Sequence, residues 1–185
     1  DINRNFIDDY SKAPRNCDYA LLADAIAPED FSDEAVEEAR KRLMAFAEEA
    51  ARCELRKLGV EKPSESLQTY VAKLGELRLR TAIHRGQYTH PKGLFFGGTT
   101  RTWSNRTFRS IITAHVLGAR RVVLVDLHTG FGPYGHGDCL LNEPVESDAY
   151  KRGRAWWGNT VTSTKGGALE PPRTTGSLKN AFAKM

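Results

Sequence analysis

The chain of 185 residues contains no run approaching the roughly 18 consecutive apolar residues of a membrane-spanning helix. It also lacks the basic-then-apolar opening of a signal peptide, so neither a membrane partner nor a secretory route is expected. Cysteine is scarce: Cys17, Cys53 and Cys139 are odd in number and widely spaced, which fits a reduced, cytoplasmic compartment better than a disulfide framework. Charge of one sign is not concentrated anywhere. The net charge of +4 arises from 27 basic residues interleaved with 23 acidic ones, so no nucleic-acid partner is expected. The segment Gly97-Gly98-Thr99-Thr100-Arg101 lacks the lysine of a phosphate-wrapping loop. No serine sits in a G-x-S-x-G elbow, which disfavours a serine hydrolase. Internal repeats and low-complexity tracts are absent.

What is present reads as one globular domain over residues 1–185, with 40% hydrophobic residues to build a core. Residues 1–30 are rich in Asp, Asn and Pro and suit a surface-running loop. Ser32 is placed to cap a helix, with Phe31 and Val36 as a hydrophobic staple. Val36, Ala39, Leu43, Phe46, Ala47, Ala50 and Cys53 then recur at helical spacing, and Gly59 supplies the stop. Glu37–Lys41, Glu38–Arg42 and Glu48–Arg52 are spaced for ion pairs on the solvated face. A second helix runs through Leu67, Tyr70, Val71, Leu74 and Leu77, weakened by Gly75. Ser104 or Asn105 caps a third, lined by Phe108, Ile111, Ile112, His115 and Val116 and ended by Gly118. His84, His90 and His115 are expected to be structural, and Trp156-Trp157 to dock on a sheet rather than stack a ligand.

Arg121 to His128 contains a core of consecutive apolar β-formers, the pattern of a central strand covered on both faces. Alternation puts Val122, Leu124, Asp126 and His128 on one side, so the two polar groups emerge together at its carboxyl end, where open α/β sheets place their sites. The glycine-rich stretch from Thr129 to Gly137 follows as a loop. The expected fold is therefore α/β, with a mixed, mainly parallel central sheet and helices on both faces.

Two motifs carry a resemblance. Asp1-Ile2-Asn3-Arg4-Asn5-Phe6 resembles the D-x-N-R segment of the zinc carboxypeptidase-like superfamily, which includes aspartoacylase and succinylglutamate desuccinylase. Asp126-Leu127-His128-Thr129-Gly130 resembles its third-ligand strand. The stretches Gly93–Gly98, Trp103–Arg106 and Gly132–Gly135 resemble an uncharacterised bacterial branch of that superfamily. The resemblance implies that His128 is a zinc ligand, with Asp126 behind it. It implies that Asn3 and Arg4 grip a carboxylate of a small-molecule or peptide substrate, the planar guanidinium offering paired donors.

The departures shape the reading equally. The superfamily's other two ligands, spaced H-x-x-E, precede the D-x-N-R segment, and nothing precedes Asp1. Its general-base glutamate lies on a later strand, a context that Glu170 between Leu169 and Pro171 does not offer. The chain thus reads as an internal piece, a partial domain of a zinc-dependent hydrolase of amide or peptide bonds, with zinc bound in the full-length parent and this chain alone inactive. A rival cluster of His128, His136, Asp138 and Cys139 has acceptable zinc-ligand types but no compact motif spacing. The alternative function is a catalytically inactive carboxylate-binding or interaction module of the same fold.

Overall fold

A computed structural model describes residues 1–128, 133–165 and 174–185. Among these residues the chain mixes helix and sheet. Six α-helices span Cys17–Ile26 (α1), Asp33–Lys57 (α2), Glu65–His84 (α3), Trp103–His115 (α4), Asp148–Trp157 (α5) and Leu178–Phe182 (α6). Two strands, Cys139–Leu141 (β1) and Val161–Ser163 (β2), pair in parallel. The chain divides into two compact units, Asp1–Val122 with Pro172–Met185, and Val123–Pro171.

The first unit is helical. Ser32 caps α2 as its sequence predicts, accepting from the Ala35 amide, although Phe31 and Val36 both stay exposed. The helix closes with the Gly59 amide on the Arg56 carbonyl and the Val60 amide on Leu55, a Schellman end that uses φ +66° at Gly59. Of the anticipated ion pairs Glu48–Arg52 forms at 3.1 Å, while Glu37 turns to Arg40 at 2.8 Å. Helices α2 and α3 form a hairpin whose seam is small: Ala47 and Ala50 face Val71 and Gly75. Gly75, which costs helix propensity, is what lets the backbones meet.

Three expectations are corrected here. Residues 1–30 are not simply a loop, because α1 occupies Cys17–Ile26 with Asn16 capping it and Tyr19, Leu22 and Ala25 buried at helical spacing. The cap of α4 is Thr102, whose hydroxyl takes the Asn105 amide; Ser104 and Asn105 lie inside the helix. His115 faces solvent, while Ile112 provides the buried contact of that helix.

In the second unit β1, α5 and β2 make a short strand–helix–strand crossover, the connection that parallel pairing requires. Register sets Cys139 opposite Val161, Leu140 opposite Thr162 and Leu141 opposite Ser163. Helix α5 rests on the pair at Gly153, where an added Cβ would lie 3.1 Å from a Leu141 methyl. The Tyr150 hydroxyl donates to the Val161 carbonyl at 3.2 Å.

Residues 121–128 do not form the anticipated strand. They form no backbone–backbone hydrogen bond with any described residue, and Val125 and Leu127 are 65% and 89% exposed. A strand needs a neighbour for its ladder, and the described residues set none beside this run. A larger parallel sheet with helices on both faces is likewise not found among the described residues.

Candidate functional site: the Asn3–Arg4–Asn5 segment and the Asp126–His128 pair

A single 3-10 turn, Ile2–Arg4, starts the first unit, with the Asp1 carboxylate accepting from the Asn3 amide. Three consecutive polar side chains then reach three different places. The Asn3 carbonyl oxygen Oδ1 accepts from the Leu178 amide at the start of α6. The Arg4 guanidinium donates through Nε and Nη2 to the His84 carbonyl at 2.9 and 2.6 Å, and through Nη1 to Asn3 at 2.9 Å. The Phe95 ring lies 5.0 Å from its carbon centre. Asn5 donates to the carbonyls of Gly97 and Thr100 and accepts at Oδ1 from the Thr102 amide and hydroxyl.

Arg4 is 7% exposed, and burial pulls its pKa below the ordinary arginine value. Among the described residues no carboxylate stands within ion-pair distance of it. Buried cations ordinarily have such a partner. Of the five guanidinium N–H groups three are satisfied by carbonyls, leaving one on Nη1 and one on Nη2. Gly86 at φ +99° makes room, since a Cβ there would sit 2.7 Å from Arg4 Cδ. The Tyr88 hydroxyl donates to the Arg4 carbonyl at 2.7 Å, and burial raises the Tyr88 pKa.

His128 and Asp126 lie in the second unit, His128 Nε2 being 2.9 Å from Asp126 Oδ2 with both side chains open to solvent. The contact holds one ring nitrogen and leaves Nδ1 without a hydrogen bond from any described residue. His136 Nε2 and Asp138 Oδ1 repeat the arrangement at 2.9 Å. His128, His136, Asp138 and Cys139 are nevertheless not assembled, because no three His, Cys, Asp or Glu side chains among the described residues are placed to hold a metal ion. A single imidazole does not satisfy the tetrahedral demand of zinc, so the residues present do not fit that ion by themselves. Thr129 and Gly130 of the second motif, and Glu170, lie outside the described residues.

The remaining sequence candidates are ordinary. His84 hydrogen-bonds Arg80 within α3, and His90 packs against Tyr19 with centroids 5.7 Å apart. Trp156 and Trp157 meet edge to face at 5.5 Å and remain 56% and 43% exposed. An open depression of ≈ 550 Å³ beside β2 is lined by Val145, Tyr150, Ser163 and Lys165 among others. What sequence reasoning missed are the buried amides Asn5, Asn16, Gln87 and Asn105. Gln87 alone organises a turn, donating to His90 and Leu94 and accepting from the amides of Thr89 and His90. Single amides in polar stretches carry no periodic signal that would have marked them.

Among the described residues no helix is long and apolar enough to cross a membrane. Comparison with curated proteins and with solved structures returns no match. A family model does match, over residues 1–60 and 53–185, and the chain belongs to that family, described as "Protein of unknown function (DUF2817)".

Proposed function

We propose that the chain is part of a zinc-dependent hydrolase cleaving an amide or peptide bond in a carboxylate-bearing substrate, within a zinc carboxypeptidase-like fold built on a mainly parallel sheet. The observation that carries this reading is the buried Arg4 guanidinium with no carboxylate partner among the described residues. Its two remaining N–H groups match a carboxylate, which would supply the missing counter-charge. Membership of the family and the two motifs of the superfamily support the same assignment. Asn3 and Arg4 then have the role of holding substrate. Asp126 has the role of fixing the ring of His128 so that Nδ1 is presented. Among the described residues the donor set does not complete a zinc site, so the remaining ligands would come from outside them.

Two measurements test this. Titration calorimetry with N-acetylglycine and with its methyl ester isolates the carboxylate: the acid is expected to bind at least about tenfold more tightly, the order of a charge-assisted hydrogen bond. Equal affinity for acid and ester sinks the clamp. Elemental analysis of the dialysed chain is expected to find zinc far below one per chain. One zinc per chain, lost in His128→Ala, would show that the chain completes a site by itself.

A further inference from the structure

The sequence holds four runs of adjacent basic residues: Arg40-Lys41-Arg42, Arg56-Lys57, Arg120-Arg121 and Lys151-Arg152. Three of them sit inside helices, two in α2 and one in α5. Their charges are also engaged, Arg40 with Glu37, Arg56 with Glu49, Lys57 with Glu54 and Lys151 with Asp148. Arg120-Arg121 differs on each count. It follows the end of α4, both side chains are exposed, and neither makes an ion pair among the described residues. The backbone from Arg120 to His128 bonds to no described backbone group, and Val122 and Val123 are 43% and 52% exposed. An endopeptidase takes its substrate as an extended strand, pairing with main-chain groups on both sides of the scissile bond. A helix must open before it can be read in that way, so the other three runs are guarded by the stability of their helices. The stretch around Arg121 needs no opening.

We infer that Arg120-Arg121 is a processing site for an endopeptidase that reads paired basic residues and hydrolyses the bond between Arg121 and Val122. Such an enzyme offers carboxylates to both guanidinium groups, and these two are free to take them. Water adds across the peptide bond, leaving a carboxylate on Arg121 and an amino group on Val122. The cut falls at the edge of Asp1–Val122 and severs it from Pro172–Met185, the part of the chain that returns to the same unit. The bonds from the Phe6 amide to the Gly176 carbonyl and from the Leu178 amide to Asn3 Oδ1 then join two chains instead of one. The inference is independent of the function proposed above, because its readout is fragment mass and not zinc or substrate.

Timed digestion of the full chain with kexin, an endopeptidase selective for paired basic residues, tests it by intact-mass spectrometry. The first products expected are residues 1–121 and 122–185, with the helical runs still uncut. Arg120→Gln and Arg121→Gln are each expected to slow that cut about tenfold or more, since each removes one charged contact from a desolvated subsite. Trypsin, which reads a single basic residue, separates pairing from exposure. It is expected to cut the Arg120→Gln chain after Arg121 as fast as it cuts the wild type there. Both positions are exposed, and matching circular dichroism spectra establish that the variants fold. A chain that kexin leaves intact, or a first cut anywhere else, would overturn the inference. So would an Arg120→Gln chain that kexin cuts at the wild-type rate, or one that trypsin spares at Arg121.

Discussion

Replacing Asn5 with alanine is expected to cost about 3–5 kcal/mol of stability, since several buried groups lose their partners at once and each unsatisfied one costs about 1–3 kcal/mol. The side chain is 1% exposed and spans two loop carbonyls, Gly97 at 2.6 Å and Thr100 at 2.9 Å, together with the Thr102 amide at the start of α4. Asn105 adds a further bond, its amide reaching the Asn5 backbone carbonyl at 2.7 Å. Truncation strands two acceptors and one amide donor where water has little access. Asn5→Asp is a sharper version, for it keeps Oδ1 but turns a carboxylate oxygen toward two carbonyls. Urea unfolding followed by circular dichroism measures both. A loss below about 1 kcal/mol, the worth of one ordinary hydrogen bond, would refute the hub role of Asn5.

Gly75→Ala is expected to destabilise by about 1–3 kcal/mol, against the roughly 1 kcal/mol gain that helix propensity alone would give. The added Cβ would stand 2.1 Å from the Ala47 carbonyl oxygen and 3.2 Å from the Ala51 amide nitrogen. Both belong to the backbone of α2, so no rotamer change relieves the clash and the helices must separate. Arg78 would move with them, giving up its position 5.3 Å from the Phe46 ring. Gly118→Ala is the matched control, because nothing lies within 4 Å of its Cβ position and its φ is not positive. Thermal melts of the two variants should diverge. Stabilisation at Gly75 would mean that the seam is looser than its geometry states.

The helices were legible where their signals are local. The Ser32 cap, the apolar repeat of α2 and the Gly59 stop all follow from neighbours in sequence, and all appear. Helix α1 was missed because Asp18 and Asp24 interrupt a short apolar pattern inside a stretch dominated by turn formers. The run 121–128 shows the opposite limit. Its composition states β-preference truly, but a strand is a pairing, and the partner is not encoded in the residues that need it. The same limit governs the site. The Asn3-Arg4 motif points to a carboxylate by residue type, whereas the burial of Arg4 depends on His84 and Phe95, about eighty and ninety residues away. Asn5, in the same motif, carries no signal of its own in the sequence, yet it is the most connected of the three.

The first unit leaves off at Val122 and resumes at Pro172, and this arrangement orders events during synthesis. The Phe6 amide needs the Gly176 carbonyl, and the Leu178 amide needs Asn3 across 175 positions, so neither bond exists until residues 174–178 have left the ribosome. Helices α2 and α3 need only each other and can close long before. Nascent chains stalled ahead of residue 174 would thus carry a finished hairpin beside an unfastened amino-terminal segment, a half-built species that chaperones and proteases would meet first.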